Sequence, residues 1–104
     1  MKEINREELP SCLKDPNKKA LYLYTPLCGT CQLASKMLDV VEHVVSNVSF
    51  YKLDLNYAPD FAEAYSIESV PCLLIMNGET VLEKIYAFHS VAYLYDVFQK
   101  QAMM

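Results

Sequence analysis

Apolar positions along the chain fall into runs of two kinds, which predict strands and helices in alternation. The run Ala20–Tyr24 is continuously apolar and of strand length, so it predicts a strand covered on both faces. Between Cys28 and Ser46 the apolar residues recur at helical spacing and predict one long amphipathic helix. The residues that carry this spacing are Leu33, Ala34, Met37, Leu38, Val41, Val44 and Val45.

The second half of the chain continues the alternation in a different order. Val48–Leu55 contains a predicted strand, Pro59–Tyr65 a short helix, and Cys72–Met76 a second fully apolar strand. Asn77-Gly78 then favours a hairpin turn, so the last strand, at about Glu79–Tyr86, should run antiparallel to its neighbour. The closing helix is marked by Val91, Leu94, Tyr95 and Phe98.

A short helix is predicted near the N-terminus. Asn5 and Glu8 have the spacing of a capping box, and Pro10 should kink or restart the helix that follows. Together, a β-α-β half and a β-β-α half predict an α/β sandwich, in which helices cover both faces of a mixed sheet. We expect residues 1–104 to form a single domain, because a chain of this length with 53% hydrophobic residues can build one core.

Composition and charge argue against several classes of partner. The formal net charge is −4, and the nine Lys and Arg residues are spread along the chain, which argues against a nucleic-acid partner. No apolar run approaches the roughly 18 residues that a membrane span needs. The N-terminal stretch also lacks the apolar segment of a signal peptide. We therefore expect a cytoplasmic protein that acts away from the membrane.

Two of the four cysteines, Cys28 and Cys31, form a C-x-x-C motif where the Ala20–Tyr24 strand gives way to the long helix. At a helix N-terminus, unpaired backbone N–H groups and the positive end of the helix dipole favour a thiolate over a thiol, so Cys28 is the candidate nucleophile. Cys31, one turn further in, should be less exposed and is the candidate resolving thiol. Gly29 should let the first turn tighten for a disulfide and leave room for a partner chain.

Metal binding is the alternative chemistry for this motif. A single C-x-x-C in a β-α-β pattern favours redox use, because a zinc site normally needs a second ligand pair. Cys12, Cys72, His43 and His89 supply no such pair. Cys12 and Cys72 are expected to be buried core thiols, and the two histidines are expected to lie in solvent away from Cys28. We predict no metal and no cofactor, while a metal or iron–sulfur carrier remains the alternative.

Further motifs resemble those of the thioredoxin family over nearly the whole chain. They are the strand–Cys28-Gly29-Thr30-Cys31–helix unit, Ser69-Val70-Pro71 before an apolar strand, and Met76-Asn77-Gly78-Glu79 after it. The resemblance implies a thioredoxin-like three-layer sandwich with a mixed sheet of four to five strands. It also implies a cis proline at Pro71, which with Val70 forms a groove for an extended substrate, and it places Lys52 near the buried side of the active site.

The resemblance further implies a protein-disulfide oxidoreductase that works by dithiol–disulfide exchange on intracellular proteins. We expect a monomer that receives electrons from an NADPH-dependent thioredoxin reductase or a similar donor. Leu27 replaces the family's usual tryptophan, Thr30 its usual proline and Tyr22 its usual buried carboxylate. The glycine usual after the last strand is also absent. These departures leave open a binding or adaptor protein that kept the fold with weak redox activity.

Overall fold

The computed structural model of the protein describes residues 1–102, so the end of the predicted domain, residues 103–104, lies outside the described part. The strands are β1 (Lys2–Glu3), β2 (Lys18–Tyr24), β3 (Ser49–Asp54), β4 (Cys72–Asn77) and β5 (Thr80–Ile85). The helices are α1 (Leu9–Lys14), α2 (Gly29–Val44), α3 (Pro59–Ala64) and α4 (Val91–Ala102), and a 3-10 helix spans Leu55–Tyr57.

The strands form one mixed sheet in the order β1-β3-β2-β4-β5. β2 lies at its centre, parallel to β3 and antiparallel to β4. β1 runs parallel to β3, and β5 runs antiparallel to β4. The two strands with continuous apolar runs, β2 and β4, pair with each other in the interior of the sheet, and residues 19–23 and 72–76 are buried, as a strand covered on both faces requires. The predicted mixed sheet is confirmed, and β1 is added at its edge.

Helices cover both faces of the sheet, which confirms the predicted three-layer sandwich. On one face α2 and α4 pack over a core that includes Tyr22, Leu38 and Phe98. On the other face α1 and α3 pack over Leu21, Leu23 and their neighbours. Because side chains alternate along a strand, the Tyr22 side chain of β2 points towards α2, and those of Leu21 and Leu23 point towards the opposite core. Within residues 1–102, no helix is long and apolar enough to cross a membrane.

The long helix is shorter than predicted at both ends. It begins at Gly29, with Cys28 as its N-cap, and ends at Val44 rather than Ser46. The expectation that Leu33 and Val44 belong to the buried face was wrong, since these side chains are 59% and 56% exposed. The apolar stripe is wider than the surface that the sheet and α4 can cover, so residues at its margins stay in water. The buried residues of α2 are Cys31, Ala34, Leu38 and Val41.

The predicted capping box is present near the N-terminus. The Glu8 N–H donates to Asn5 Oδ1 at 2.8 Å, and the Asn5 N–H donates to Glu8 Oε1 at 3.0 Å. Regular helix begins only at Leu9, with Pro10 in its first turn, where a missing N–H costs no helical hydrogen bond. Pro10 therefore restarts the helix, which is one of the two outcomes that the sequence predicted.

The predicted hairpin joins β4 to β5, with its turn one residue later than the Asn-Gly pair suggested. Asn77 is the last residue of β4 and pairs with Thr80, so the turn residues are Gly78 and Glu79. Gly78 has a φ of 60°, a left-handed conformation that glycine adopts without steric cost. The glycine therefore sets the position of the turn.

A buried lysine ties this hairpin to the start of β2. β2 begins at Lys18, two residues before the predicted strand, and the side chain of Lys19 is only 1% exposed. Its ammonium group donates hydrogen bonds to the carbonyl oxygens of Asp15 at 2.7 Å, Asn17 at 3.2 Å and Gly78 at 3.0 Å. Three acceptors match the three N–H bonds of an ammonium group, so the buried charge is fully hydrogen-bonded.

Candidate active site

Cys28 occupies the N-cap position of α2. Its backbone is extended, with φ −90° and ψ 110°, and the Cys31 N–H donates to its Sγ at 3.2 Å. The sulfur therefore takes the place of the oxygen that usually caps a helix. The unpaired N–H groups of the first turn and the positive end of the helix dipole stabilise negative charge on this atom. The local geometry thus favours a thiolate at Cys28 once the protein is reduced.

Cys28 and Cys31 are joined by a disulfide in the structure. Their Cα atoms are 5.2 Å apart, within the usual range for bonded cysteines. Cys28 is partly exposed, whereas Cys31 is 3% exposed, which confirms the predicted difference in exposure between the two. An incoming thiol or disulfide can therefore approach Cys28 but not Cys31.

The two residues between the cysteines both face solvent. The Thr30 hydroxyl lies 3.4 Å from Cys28 Sγ, close enough to donate a hydrogen bond to it. A Cβ added at Gly29 would meet no atom within 4 Å, and Gly29 lies in the first turn of the helix without a positive φ. No steric requirement for this glycine is therefore visible in the oxidised chain. That Gly29 leaves room for a partner chain stays a prediction.

The Val70–Pro71 peptide bond is cis, as the sequence resemblance implied. The carbonyl oxygen of Val70 lies 3.9 Å from Cys28 Sγ, so the structure brings these predicted groove residues to the disulfide. Pro71 also lines an open groove of about 330 Å³ between α2 and the segment after β5. Apolar side chains dominate its walls, among them Leu33, Met37 and Phe88. The disulfide thus lies beside an apolar groove and beside the half-buried backbone of Val70.

Behind Cys31 lies a second cavity, of about 350 Å³. Lys52 lines it together with Tyr22 and Tyr24, which places the lysine on the buried side of the active site, as the resemblance implied. Among residues 1–102, no carboxylate lines this cavity, and its titratable side chains are these three, Lys36 and Cys31 itself. No acidic side chain that lines this cavity can therefore act as the base that deprotonates Cys31.

Tyr22 fixes the first turn of α2 from below. Its side chain is 1% exposed, and its hydroxyl donates a hydrogen bond of 2.6 Å to the carbonyl oxygen of Cys31. Burial raises the pKa of Tyr22 to about 12, so the phenol remains protonated at neutral pH. A group that is protonated and already donating cannot accept the proton of Cys31. Tyr22 therefore anchors the resolving cysteine and does not act as its base.

Replacing Tyr22 with phenylalanine should destabilise the oxidised protein by about 1–2 kcal/mol near pH 8, because a buried carbonyl loses its donor. The difference in the free energy of unfolding between the parent protein and the variant should become smaller as pH rises. Tyrosine in the unfolded chain ionises from about pH 10, whereas the buried phenol holds its proton to about 12, so only the parent protein loses stability over that range. Urea unfolding near pH 8 and near pH 11 measures both effects. A difference that grows with pH would contradict this role.

The other two cysteines lie in the core on the opposite face of the sheet. Cys72 is fully buried, and burial raises its pKa to about 11, with smaller opposing effects of Lys84 and Tyr86. Burial likewise raises the pKa of Cys12. Both are free thiols, as predicted, and burial disfavours the reactive thiolate form in each. Among residues 1–102, no three or more Cys, His, Asp or Glu side chains cluster in a way that could hold a metal.

The histidines are both exposed, but one of them lies closer to the site than the sequence suggested. His43 lies on the outer surface of α2, as expected, with its Nδ1 2.6 Å from the Asp39 carbonyl oxygen. His89 instead lines the Pro71 groove, as Thr30 does. Its φ of 56° turns the chain between β5 and α4 towards α2, and no local sequence pattern signals such a turn at a histidine.

Comparison with known proteins agrees with this fold and site. The thioredoxin family model matches residues 1–100. Thioredoxin-like protein YusE of Bacillus subtilis is 52% identical over 102 residues, which cover 98% of this chain and 94% of the relative. Thioredoxin of Mycoplasmoides gallisepticum is 26% identical over 89 residues, which cover 85% of this chain and 89% of that protein.

A mutant thioredoxin of Halobacterium salinarum has the same fold. It superposes with a TM-score of 0.82 over 95% of this chain and 88% of its own, at 19% identity. With the family model matching almost the whole length, and with a close relative at more than half identity, the chain belongs to the thioredoxin family.

Proposed function

We propose that this thiol–disulfide oxidoreductase reduces disulfides in intracellular proteins, with Cys28 as the attacking thiolate and Cys31 as the resolving thiol. The observation that carries the proposal is the place of Cys28 Sγ. It caps α2, accepts the Cys31 N–H at 3.2 Å, and lies 3.9 Å from the carbonyl oxygen of Val70. The Cys28 sulfur is thereby stabilised as an anion, and it lies beside the Val70 backbone, with which an extended substrate chain would pair.

The reaction begins with the reduced protein. The Cys28 thiolate attacks one sulfur of the substrate disulfide, a Cys28–substrate disulfide forms, and the other substrate sulfur leaves as a thiolate and takes up a proton. The backbone of Val70 beside Cys28 would hold the substrate segment in an extended conformation, as edge-strand pairing does elsewhere. Attack then occurs in line with a substrate sulfur held next to the nucleophile.

The second step releases the substrate. Cys31 gives up its proton and attacks the Cys28 sulfur, the Cys28–Cys31 disulfide forms, and the remaining substrate sulfur leaves as a thiol. The Cα separation of 5.2 Å lets this bond close within the first turn of the helix. The two electrons taken up by the substrate come from the dithiol, and an external reductant must replace them.

The source of these electrons is proposed to be an NADPH-dependent thioredoxin reductase or a similar donor, in the cytoplasm. The thioredoxin family supports both protein disulfide substrates and a reductase donor. Cys12 and Cys72, both free and buried, are compatible with a compartment that keeps thiols reduced. We also propose that the protein acts as a monomer and as one domain.

Catalytic turnover tests the proposal directly. Substoichiometric protein should accelerate the reduction of a protein disulfide such as that of insulin by dithiothreitol, and it should turn over many times. A variant with both Cys12 and Cys72 replaced by serine is the matched control and should keep this activity, because neither thiol lies at the site. Reduction that remains stoichiometric would favour the adaptor alternative. Metal retained by the anaerobically purified protein would favour the carrier alternative.

A further inference from the structure

The segment between α3 and β4 carries the cis proline but has no regular secondary structure of its own. Its first half is anchored locally, because Ile67 packs on the apolar core and its N–H donates to the Ala62 carbonyl oxygen at 2.8 Å. The second half begins with the exposed residues Glu68 and Ser69 and leads to the half-buried Val70, whose carbonyl oxygen lies beside Cys28. The position of this carbonyl therefore depends on what holds the segment on both sides of Ile67.

Two side chains hold this segment, Lys84 on β5 and Tyr86 directly after it. The Tyr86 hydroxyl accepts the Glu68 N–H at 3.1 Å and donates to the Ser66 carbonyl oxygen at 3.4 Å. Lys84 Nζ donates to the carbonyl oxygens of Tyr65 at 2.7 Å and Ser66 at 3.2 Å. These four hydrogen bonds join side chains at the end of β5 to the backbone of a segment that is distant in sequence. Tyr86 and Lys84 thus act on the segment as a clamp.

We propose that Tyr86 and Lys84 are positioning residues that fix the substrate-pairing backbone of Val70 relative to Cys28, and thereby favour extended peptide substrates. This inference rests on the proposed function and specifies how its groove is held. The Glu68 N–H that Tyr86 accepts lies two residues before Val70, so the clamp acts close to the pairing backbone. Tyr86 packs against the core on the face of α1 and α3, and it is also among the residues that line the Pro71 groove.

The clamp should matter for peptide substrates and not for small ones. A peptide disulfide must pair with the Val70 backbone, and a segment free to move would pay an ordering cost each time it binds. A small disulfide without a peptide backbone needs only the Cys28 sulfur, which belongs to α2 and not to the clamped segment. Loss of the clamp should therefore raise KM for a peptide disulfide and leave the reaction with a small disulfide unchanged.

The variants Tyr86→Phe and Lys84→Met test this, with Tyr95→Phe as a matched control. Each test variant keeps most of its apolar side chain and removes the polar atoms of the clamp. Tyr95 is a partly exposed tyrosine on α4, and it does not line the groove. Two probes are used: an octapeptide with a disulfide-linked reporter thiol at its centre, and 5,5′-dithiobis(2-nitrobenzoate). A third readout is hydrogen exchange of the Glu68 amide in each protein.

The loss of one or two such hydrogen bonds should raise KM for the peptide disulfide about threefold to tenfold in either test variant, with kcat within about twofold. The rate with the small disulfide should match the parent rate, and the Glu68 amide should exchange faster in Tyr86→Phe only. Equal losses with both probes would overturn the proposal, as would an unchanged KM in the two variants or unchanged Glu68 exchange in Tyr86→Phe. A parent protein that reduces neither probe would refute the proposed function instead, and the amide exchange would still decide whether the clamp exists.

Discussion

Replacement of Cys28 with serine should lower the catalysed rate of disulfide reduction about a thousandfold or more. Only the uncatalysed reduction by the reductant should then remain. Serine keeps the capping position on α2, yet its hydroxyl neither ionises at neutral pH nor forms a stable bond to sulfur. The fold should persist, because Cys28 is partly exposed and contributes no core packing. Reduction of insulin by dithiothreitol, with the variant at the same concentration as the parent, measures the loss.

Cys31→Ser is the informative companion, since it should fail at a different step. Cys28 can still attack in this variant, but no resolving thiol remains, so the Cys28–substrate disulfide should accumulate and be visible as an intact adduct by mass spectrometry. Cys28→Ser should give no such adduct. If Cys28→Ser retained a substantial part of the parent activity, or if the adduct formed at Cys31 instead, the assignment of roles would be wrong.

Replacement of Lys19 with methionine should lower the free energy of unfolding by about 2–4 kcal/mol, since three backbone carbonyl groups lose a charged donor at once. Methionine fills a similar volume but offers nothing to these oxygens. The loss should be larger than for an ordinary surface substitution, because the lysine ties the segment before β2 to the turn at Gly78 across the sheet. Urea unfolding of the oxidised protein at neutral pH measures it.

Lys36→Met provides the matched control for this stability measurement. Lys36 is exposed on α2, and the same substitution there should change stability by less than about 0.5 kcal/mol. Equal effects of the two substitutions would mean that the buried hydrogen bonds of Lys19 contribute no net stability. In that case the cost of burying the ammonium group would offset what its three acceptors provide.

The sequence predicted the layers of the fold and the disulfide pair because both depend on local patterns. The continuous apolar runs of the central strands, the helical spacing after Cys28 and the Asn-Gly turn each leave a signal within a few residues. β1 was not predicted, since two residues carry no periodicity. Leu33 was misplaced for a related reason: helical spacing indicates which residues share a stripe, but not how much of the stripe its neighbours cover.

The features that sequence reasoning missed all depend on contacts between distant segments. Nothing near Lys19 shows that its ammonium group meets a turn 59 residues later. The contact between the Tyr22 hydroxyl and the Cys31 carbonyl oxygen needs the helix to be placed over β2 before it can be seen. The same holds for the clamp formed by Tyr86 and Lys84. At that place the sequence showed only that the family's usual glycine after the last strand is absent. Such contacts follow from the assembled sheet and not from any one element.

The central claim is that α2 holds the Cys28 sulfur ionised and accessible while Cys31 is protonated and buried. Labelling of the fully reduced protein with limiting iodoacetamide at neutral pH, followed by peptide mapping, tests it most directly. Cys28 should be alkylated at least about ten times faster than Cys31, because only the accessible thiolate reacts. Equal labelling of both cysteines, or preferential labelling of Cys31, would contradict the account.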